Sequence, residues 1–204
     1  MNTNTTKLAA LALLSAALLA LTSCSSTSPG PSVETTSASS FQQGVPGGIV
    51  VETHKMTATV TAIDPVGRKV TLVSPDGQKT TVKCGPEVIN FDQIRLGDQL
   101  KVIVVEELVA YLAEAGAPPT DGGAAVMLLA PKGARPGGVV AAVVQVTAKV
   151  TALDLKKHKA TLQFPDGSTK TIAVRPDVDL TKRQVGEEVV IRCTEAVALS
   201  VERP

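Results

Sequence analysis

Hydrophobic and polar residues alternate along two segments of the chain that lie ninety positions apart. Residues 56–64 read MTATVTAID, and residues 146–154 read VTAKVTALD. In both segments every second residue is apolar over most of the length, which places the apolar side chains on one face of a β-strand. The pattern predicts the same strand twice and indicates that the chain contains two copies of one unit.

Shorter alternating segments follow each of these strands in the same order. Pro-Asp-Gly at residues 75–77 and again at 165–167 separates two of them, which is the pattern of a tight β-hairpin. Further strands are predicted from residue 99 and from residue 188, each followed by a short closing strand. We therefore expect an all-β fold in which each unit is a small five-stranded, OB-like β-barrel, with the two barrels in tandem.

Composition divides the chain into segments around these units. The units are predicted at residues 46–112 and 136–204, and each begins with Pro-Gly-Gly. Residues 113–135 are rich in Gly, Ala and Pro and predict a linker, whose apolar stretch 124–130 either packs against a barrel or forms a turn of helix. Residues 25–45 are mostly Ser, Thr, Pro, Gly and Gln, so we expect a disordered, flexible tether.

The first 24 residues have the pattern of a signal peptide. A short polar segment with one Lys precedes residues 8–21, which are almost entirely Leu and Ala and are fewer than the roughly 20 needed for a membrane span. The run ends in Leu21-Thr22-Ser23-Cys24, which resembles the lipobox of bacterial lipoproteins. The resemblance implies that Cys24 is lipidated and anchors the mature chain to a membrane. The alternative is an ordinary secretory signal in which Cys24 is coincidental.

The residue after the lipidation site bears on localisation. Ser25 stands there, and no Asp is present to favour retention in the inner membrane. In a bacterium with two membranes, we therefore expect a lipid-anchored protein of the outer membrane that faces the periplasm.

Charge and aromatic content exclude several classes of function. Twenty Lys and Arg balance nineteen Asp and Glu, and the signs are interspersed, so no basic field predicts a nucleic-acid partner. One Tyr, three Phe and no Trp do not supply stacking platforms or the aromatic walls of a sugar-binding cleft. The hydrophobic content of 44% is that of a chain with a sizeable core.

His54 and Met56 are the candidate metal ligands. They lie two positions apart on one predicted strand and could face the same way, as soft ligands of Cu(I) would require. The alternative is that Met56 packs in the core, because it shares the apolar phase of the strand. His158 lies in a turn rich in Lys and is interpreted as a solvated loop residue.

Two cysteines remain after the lipidation site. An oxidising envelope would allow Cys84 and Cys193 to form a disulfide between the units. However, Cys84 corresponds to Val174 and Cys193 to Val104 in the other unit, which favours a small core residue in each barrel.

Carboxylates recur at equivalent positions of the two units. Four Asp residues lie in predicted turns, where their side chains bond the backbone, and Glu106 and Glu195 end the predicted fourth strands without an evident role. The sequence shows no nucleophile or base beside them, no Gly-rich phosphate loop and no zinc motif. We therefore expect no catalytic activity and no cofactor. The four Asp residues in the predicted turns are Asp64, Asp154, Asp76 and Asp166.

Together these motifs resemble those of a family of uncharacterised bacterial envelope lipoproteins with one or two such units. The shared pattern is T-A-x-V-T-A-[IL]-D, a P-D-G hairpin, G-[DE]-x-[LV] and a closing E-x-[LV]-A strand, and it covers nearly all of the chain after residue 45. The resemblance implies the barrel unit but no activity. The expected function is a non-catalytic binding or structural module of the envelope, with an envelope protein as a possible partner.

In strand layout each unit also resembles, more distantly, the small OB-fold periplasmic copper chaperone of copper and silver efflux systems. That protein holds its metal with a His, two Met and a Trp on the barrel strands. This chain has no Trp, and its only Met residues are Met1, Met56 and Met127, so that site is not carried over. The resemblance in layout, together with His54 and Met56, implies the alternative function, which is a periplasmic metal-handling accessory protein of the copper type.

Overall fold

The computed structural model describes residues 33–114, 116 and 120–204. This part of the chain is all-β, as predicted, with ten strands and two single-turn 3-10 helices. Cys24 and the rest of the predicted signal peptide lie outside the described residues. The elements are β1 Val33–Ser40, β2 Gly47–Asp64, β3 Lys69–Val73, β4 Lys79–Lys83, η1 Phe91–Gln93, β5 Gln99–Leu112, β6 Gly122–Leu129, β7 Gly137–Asp154, β8 Lys159–Gln163, β9 Thr169–Ala173, η2 Leu180–Lys182 and β10 Glu188–Glu202.

The strands form one open antiparallel sheet. Its order is β4-β3-β2-β5-β10-β7-β8-β9, while β1 pairs with β2 and β6 pairs with β7. Elements β1 to β5 and elements β6 to β10 therefore follow the same plan, and the two halves meet where β5 pairs with β10. Among the described residues, no helix is long and apolar enough to cross a membrane.

The prediction of two tandem five-stranded barrels is not confirmed for the described residues, whose strands form one sheet. The predicted fourth and fifth strands of each half are one continuous strand, β5 or β10, and the sheet does not close. No Gly or Pro interrupts β5 or β10, and neither strand is bulged along the register that joins them. Each of these strands pairs along one edge within its own half, β5 with β2 and β10 with β7. The other edges of β5 and β10 pair with each other, which joins the two halves in one sheet.

Two strands occur where the composition predicts a tether and a linker. β1 falls in the predicted tether and pairs with β2, and β6 falls in the predicted linker and pairs with β7. Every residue of both strands is exposed, so backbone hydrogen bonds hold them without a buried side chain. The apolar stretch of the linker is therefore a strand and not a turn of helix.

A small hydrophobic core lies at each end of the long sheet. Strands β2 and β7 each carry a β-bulge, between Val60 and Ala62 and between Val150 and Ala152, which bends the strand over its core. The first core contains Val60, Val70, Leu72, Phe91 and Ile94, and the second contains Ala148, Val150 and Leu162.

Asn90 connects the first half to the second. Its side chain is buried and reaches the turn between β6 and β7. The Nδ2 group donates a hydrogen bond to the Pro131 carbonyl oxygen at 2.9 Å, and Oδ1 accepts one from the Gly133 N–H at 3.0 Å. The loop after β4 therefore fixes the hairpin turn of the other half.

Arg175 makes the reciprocal connection from the second half. Its guanidinium lies over the Phe41 ring at 4.2 Å and donates a hydrogen bond to the Val45 carbonyl oxygen at 2.9 Å, both in the turn between β1 and β2. Asp177 accepts from Arg175 at 3.0 Å and from the Gly44 N–H at 2.8 Å. These hydrogen bonds, with that of Arg175 foremost, hold the pKa of the Asp177 carboxyl well below its usual range.

Candidate functional site

Three glutamates lie in one row across the central strands. Glu106 of β5 is the direct partner of Glu52 in β2 and of Glu195 in β10. Directly paired residues of antiparallel strands point to the same face of the sheet. We call Glu52, Glu106 and Glu195 the glutamate row.

The positions next to the glutamate row carry no Lys or Arg. Neither adjacent row of the four central strands contains a Lys or Arg on that face. On the opposite face, by contrast, Glu107 lies 3.9 Å from Arg192, and Lys101 lies 2.6 Å from Glu202. The two rows adjacent to the glutamate row on its own face are Val50, Leu108, Cys193 and Val144, and His54, Val104, Val197 and Val140.

His54 lies beside one end of the glutamate row. Its Nε2 atom is 3.8 Å from a carboxylate oxygen of Glu52, and its Nδ1 atom is 3.0 Å from the Thr35 hydroxyl oxygen on β1. One ligand atom each from Glu52, His54 and Glu106 fit within 4.8 Å of one another. We call these three residues the His–Glu cluster.

The backbone explains why these side chains meet. Glu52 and His54 are two positions apart on β2 and therefore share a face, and the register with β5 brings Glu106 beside them. A glycine at position 47 allows the close approach of these strands, because a Cβ there would lie 2.0 Å from the Ala110 carbonyl oxygen. Gly47 also has a φ of +96°, which side chains rarely adopt.

Met56 shares the face of His54 but has apolar neighbours. It is partly buried opposite Val102 of β5 and Val33 of β1. The structure brings His54 together with carboxylates that the Cu(I) hypothesis did not include. The recurrence of carboxylates in the two halves does not single out Glu52, because Ala142 occupies the equivalent position of the second half.

His158 is not the solvated loop residue that the sequence suggested. It is partly buried, has a φ of +54°, and its Nε2 atom lies 3.0 Å from the Arg175 carbonyl oxygen. Arg68 holds the equivalent place in the first half, with a φ of 49°, and donates to the Val88 carbonyl oxygen at 2.8 Å. Both residues therefore hold a turn to the loop that packs beside it.

The cysteines and the turn aspartates have structural roles. Cys84 packs against the first core, Cys193 lies in the middle of β10, and both are free. Burial raises the pKa of both thiols. Asp166 accepts a hydrogen bond from the Ser168 N–H at 2.9 Å, and its bonds with Ser168 lower the pKa of the Asp166 carboxyl. The turn interpretation of the aspartates is thereby confirmed. The other three accept backbone hydrogen bonds in the same way: Asp64, Asp76 and Asp154.

No protein-family model matches the chain, and no curated protein gives a significant match. The relation to envelope lipoproteins therefore stays a prediction from the motifs.

Proposed function

We propose that the protein is a lipid-anchored, non-catalytic module of the bacterial envelope that binds or supports another envelope protein. The observation that carries this proposal is the open central sheet. Large apolar side chains on its long strands are about 40% exposed, with Val140 and Leu199 on one face of the sheet and Ile103 on the other. Extended apolar surface of this kind is typical of a contact surface for another macromolecule.

The anchor in this proposal is the lipidated Cys24, with the sheet on the periplasmic side of the outer membrane. The lipobox motif and the apolar run before it support this location. The anchor is tested by expressing the full chain and a Cys24→Ala variant in a bacterium with two membranes, with a labelled fatty acid in the medium. We expect the fatty-acid label in the native chain and not in the variant. We also expect that only detergent releases the native chain from membranes. Release of the native chain by a salt wash would contradict the anchor.

The contact surface is tested by photocrosslinking in intact cells. A photoreactive residue is placed at Val140 or Leu199 on the sheet, and at Val66 as a control, which is 95% exposed at the tip of a turn. We expect a discrete crosslinked product from the sheet positions and not from the turn. Equal products from all positions, or none from the sheet, would refute a binding role for this surface.

A second candidate function is copper handling in the periplasm. The observation that favours it is that His54 and Met56 lie on the same face of β2. Competition with a Cu(I) chelator should then show that His54→Gln and Met56→Leu each weaken binding. Binding no tighter than that of the urea-unfolded chain would remove this candidate.

A further inference from the structure

We propose that the His–Glu cluster is a binding site for a divalent transition-metal ion, with Zn²⁺ as its representative. The ligands are Nε2 of His54 and the carboxylates of Glu52 and Glu106. This set offers one nitrogen and at least two oxygens, which suits Zn²⁺ and not the soft ion Cu(I). The inference rests neither on the lipid anchor nor on Met56.

The geometry is close to that of a coordinated ion. Zn–N and Zn–O bonds of about 2.0–2.2 Å in a tetrahedral site place ligand atoms roughly 3.3 Å apart. In the structure the ligand atoms of the three residues lie within 4.8 Å of one another, and Nε2 of His54 is 3.8 Å from a carboxylate oxygen of Glu52. The side chains of Glu52 and Glu106 are partly exposed, so rotation of these side chains closes the remaining distance without moving the strands.

Thr35 orients the imidazole for this role. Its hydroxyl is bonded to Nδ1 of His54, which leaves Nε2 on the side of Glu52. A ligating histidine commonly donates its second ring N–H to an oxygen, which holds the direction of the ring. The Thr35 hydroxyl oxygen accepts that hydrogen bond in the tautomer whose proton is on Nδ1. β1 therefore supplies the support for a ligand that β2 carries.

The charges around the cluster favour a cation. Glu106 has a carboxylate directly opposite it on each neighbouring strand, and like charges at facing positions are destabilising. The adjacent rows of the described strands contain no Lys or Arg, so no permanently charged cation balances the row. A divalent ion between Glu52 and Glu106 offsets the repulsion between these two carboxylates.

The site belongs to the first half alone. In the second half, Val144 and Ala142 replace His54 and Glu52, although Glu195 corresponds to Glu106. We therefore expect each chain to bind one ion and not two.

The test is a Zn²⁺ titration of the full-length protein in competition with a chromophoric chelator. Cys24→Ala/Cys84→Val/Cys193→Val is the background, because thiols also bind Zn²⁺. Valine is the residue of the other half at positions 84 and 193. We expect one ion per chain, and binding weakened at least tenfold by His54→Gln and by Glu106→Gln. The imidazole NMR signals of His54 should shift on addition of Zn²⁺.

Two matched controls separate this site from general surface binding. Glu107→Gln removes the neighbouring charge on the opposite face of β5, and His158→Gln removes the other histidine of the described chain. Both should leave Zn²⁺ affinity unchanged, and urea unfolding verifies that every variant is folded. Absence of binding in the background protein, or equal losses in the controls and the cluster variants, would overturn the proposal. Crosslinking from Val140 and Leu199 would be unaffected, so failure here is distinguishable from failure of the proposed function.

Discussion

Removal of the Asn90 side chain tests whether the two halves stabilise each other through their loops. Asn90 is 5% exposed and makes two hydrogen bonds of good length to the β6–β7 turn, with a third of 3.4 Å to the Ala130 carbonyl oxygen. A hydrogen bond of this kind contributes about 0.5–1.5 kcal/mol net. In the variant, water forms some of the hydrogen bonds that the exposed turn makes with Asn90. Asn90→Ala should therefore lower the free energy of unfolding by about 2 kcal/mol.

The assay is urea unfolding followed by circular dichroism, together with amide hydrogen exchange. We expect a lower midpoint at an unchanged slope, and faster exchange of the Gly133 N–H, which has lost its acceptor. Gln78→Ala is the control, because Gln78 is exposed and a surface change of this kind usually alters stability by less than about 0.5 kcal/mol. An Asn90→Ala loss no larger than that of the control, with slow exchange retained at Gly133, would refute the coupling.

Three further predictions concern the backbone, pH and the glutamate row. Gly47→Ala should lower the free energy of unfolding by more than about 2 kcal/mol, because the new Cβ would clash with β5 and the backbone has a positive φ. Gly77→Ala is the control, since a Cβ there meets no atom within 4 Å, and it should lower the free energy of unfolding less in the same urea assay. The lowered pKa of Asp177 contributes stability that is present above the ordinary carboxyl pKa of about 3.9 and is lost as the pH falls below it. Asp177→Asn should therefore show a smaller decrease in urea midpoint between pH 5 and pH 2, and an unchanged pH profile would contradict the linkage. In metal-free buffer, Glu106→Gln should raise the free energy of unfolding by about 0.2–1 kcal/mol because it relieves like-charge repulsion, and a gain of the same size in Glu107→Gln would show that the effect does not come from the row.

The strands that bury side chains could be predicted from the sequence. The alternation in residues 56–64 and 146–154 lies within β2 and β7, and the two Pro-Asp-Gly turns connect β3 to β4 and β8 to β9. Burial of one face produces this alternation, so the pattern and the structure have the same cause.

The features that depend on backbone pairing could not be predicted in this way. β1 and β6 have only exposed residues, so their composition follows no burial constraint and resembles that of a tether or linker. The union of β5 with β10 depends on register between residues some ninety positions apart, which no local pattern encodes. The His–Glu cluster depends on the same kind of register, because only the pairing of β2 with β5 reveals that Glu52 faces Glu106.

If Cys24 carries the proposed lipid, the position of β1 limits how far the sheet can lie from the membrane. Val33 begins β1 only nine positions after Cys24. A fully extended chain spans at most about 3.6 Å per residue, so this interval covers roughly 30 Å, which is about the thickness of a bilayer's hydrocarbon core. With an acyl chain on Cys24, the first edge of the sheet would stay close to the headgroups, and a partner would have to come to the membrane to meet it.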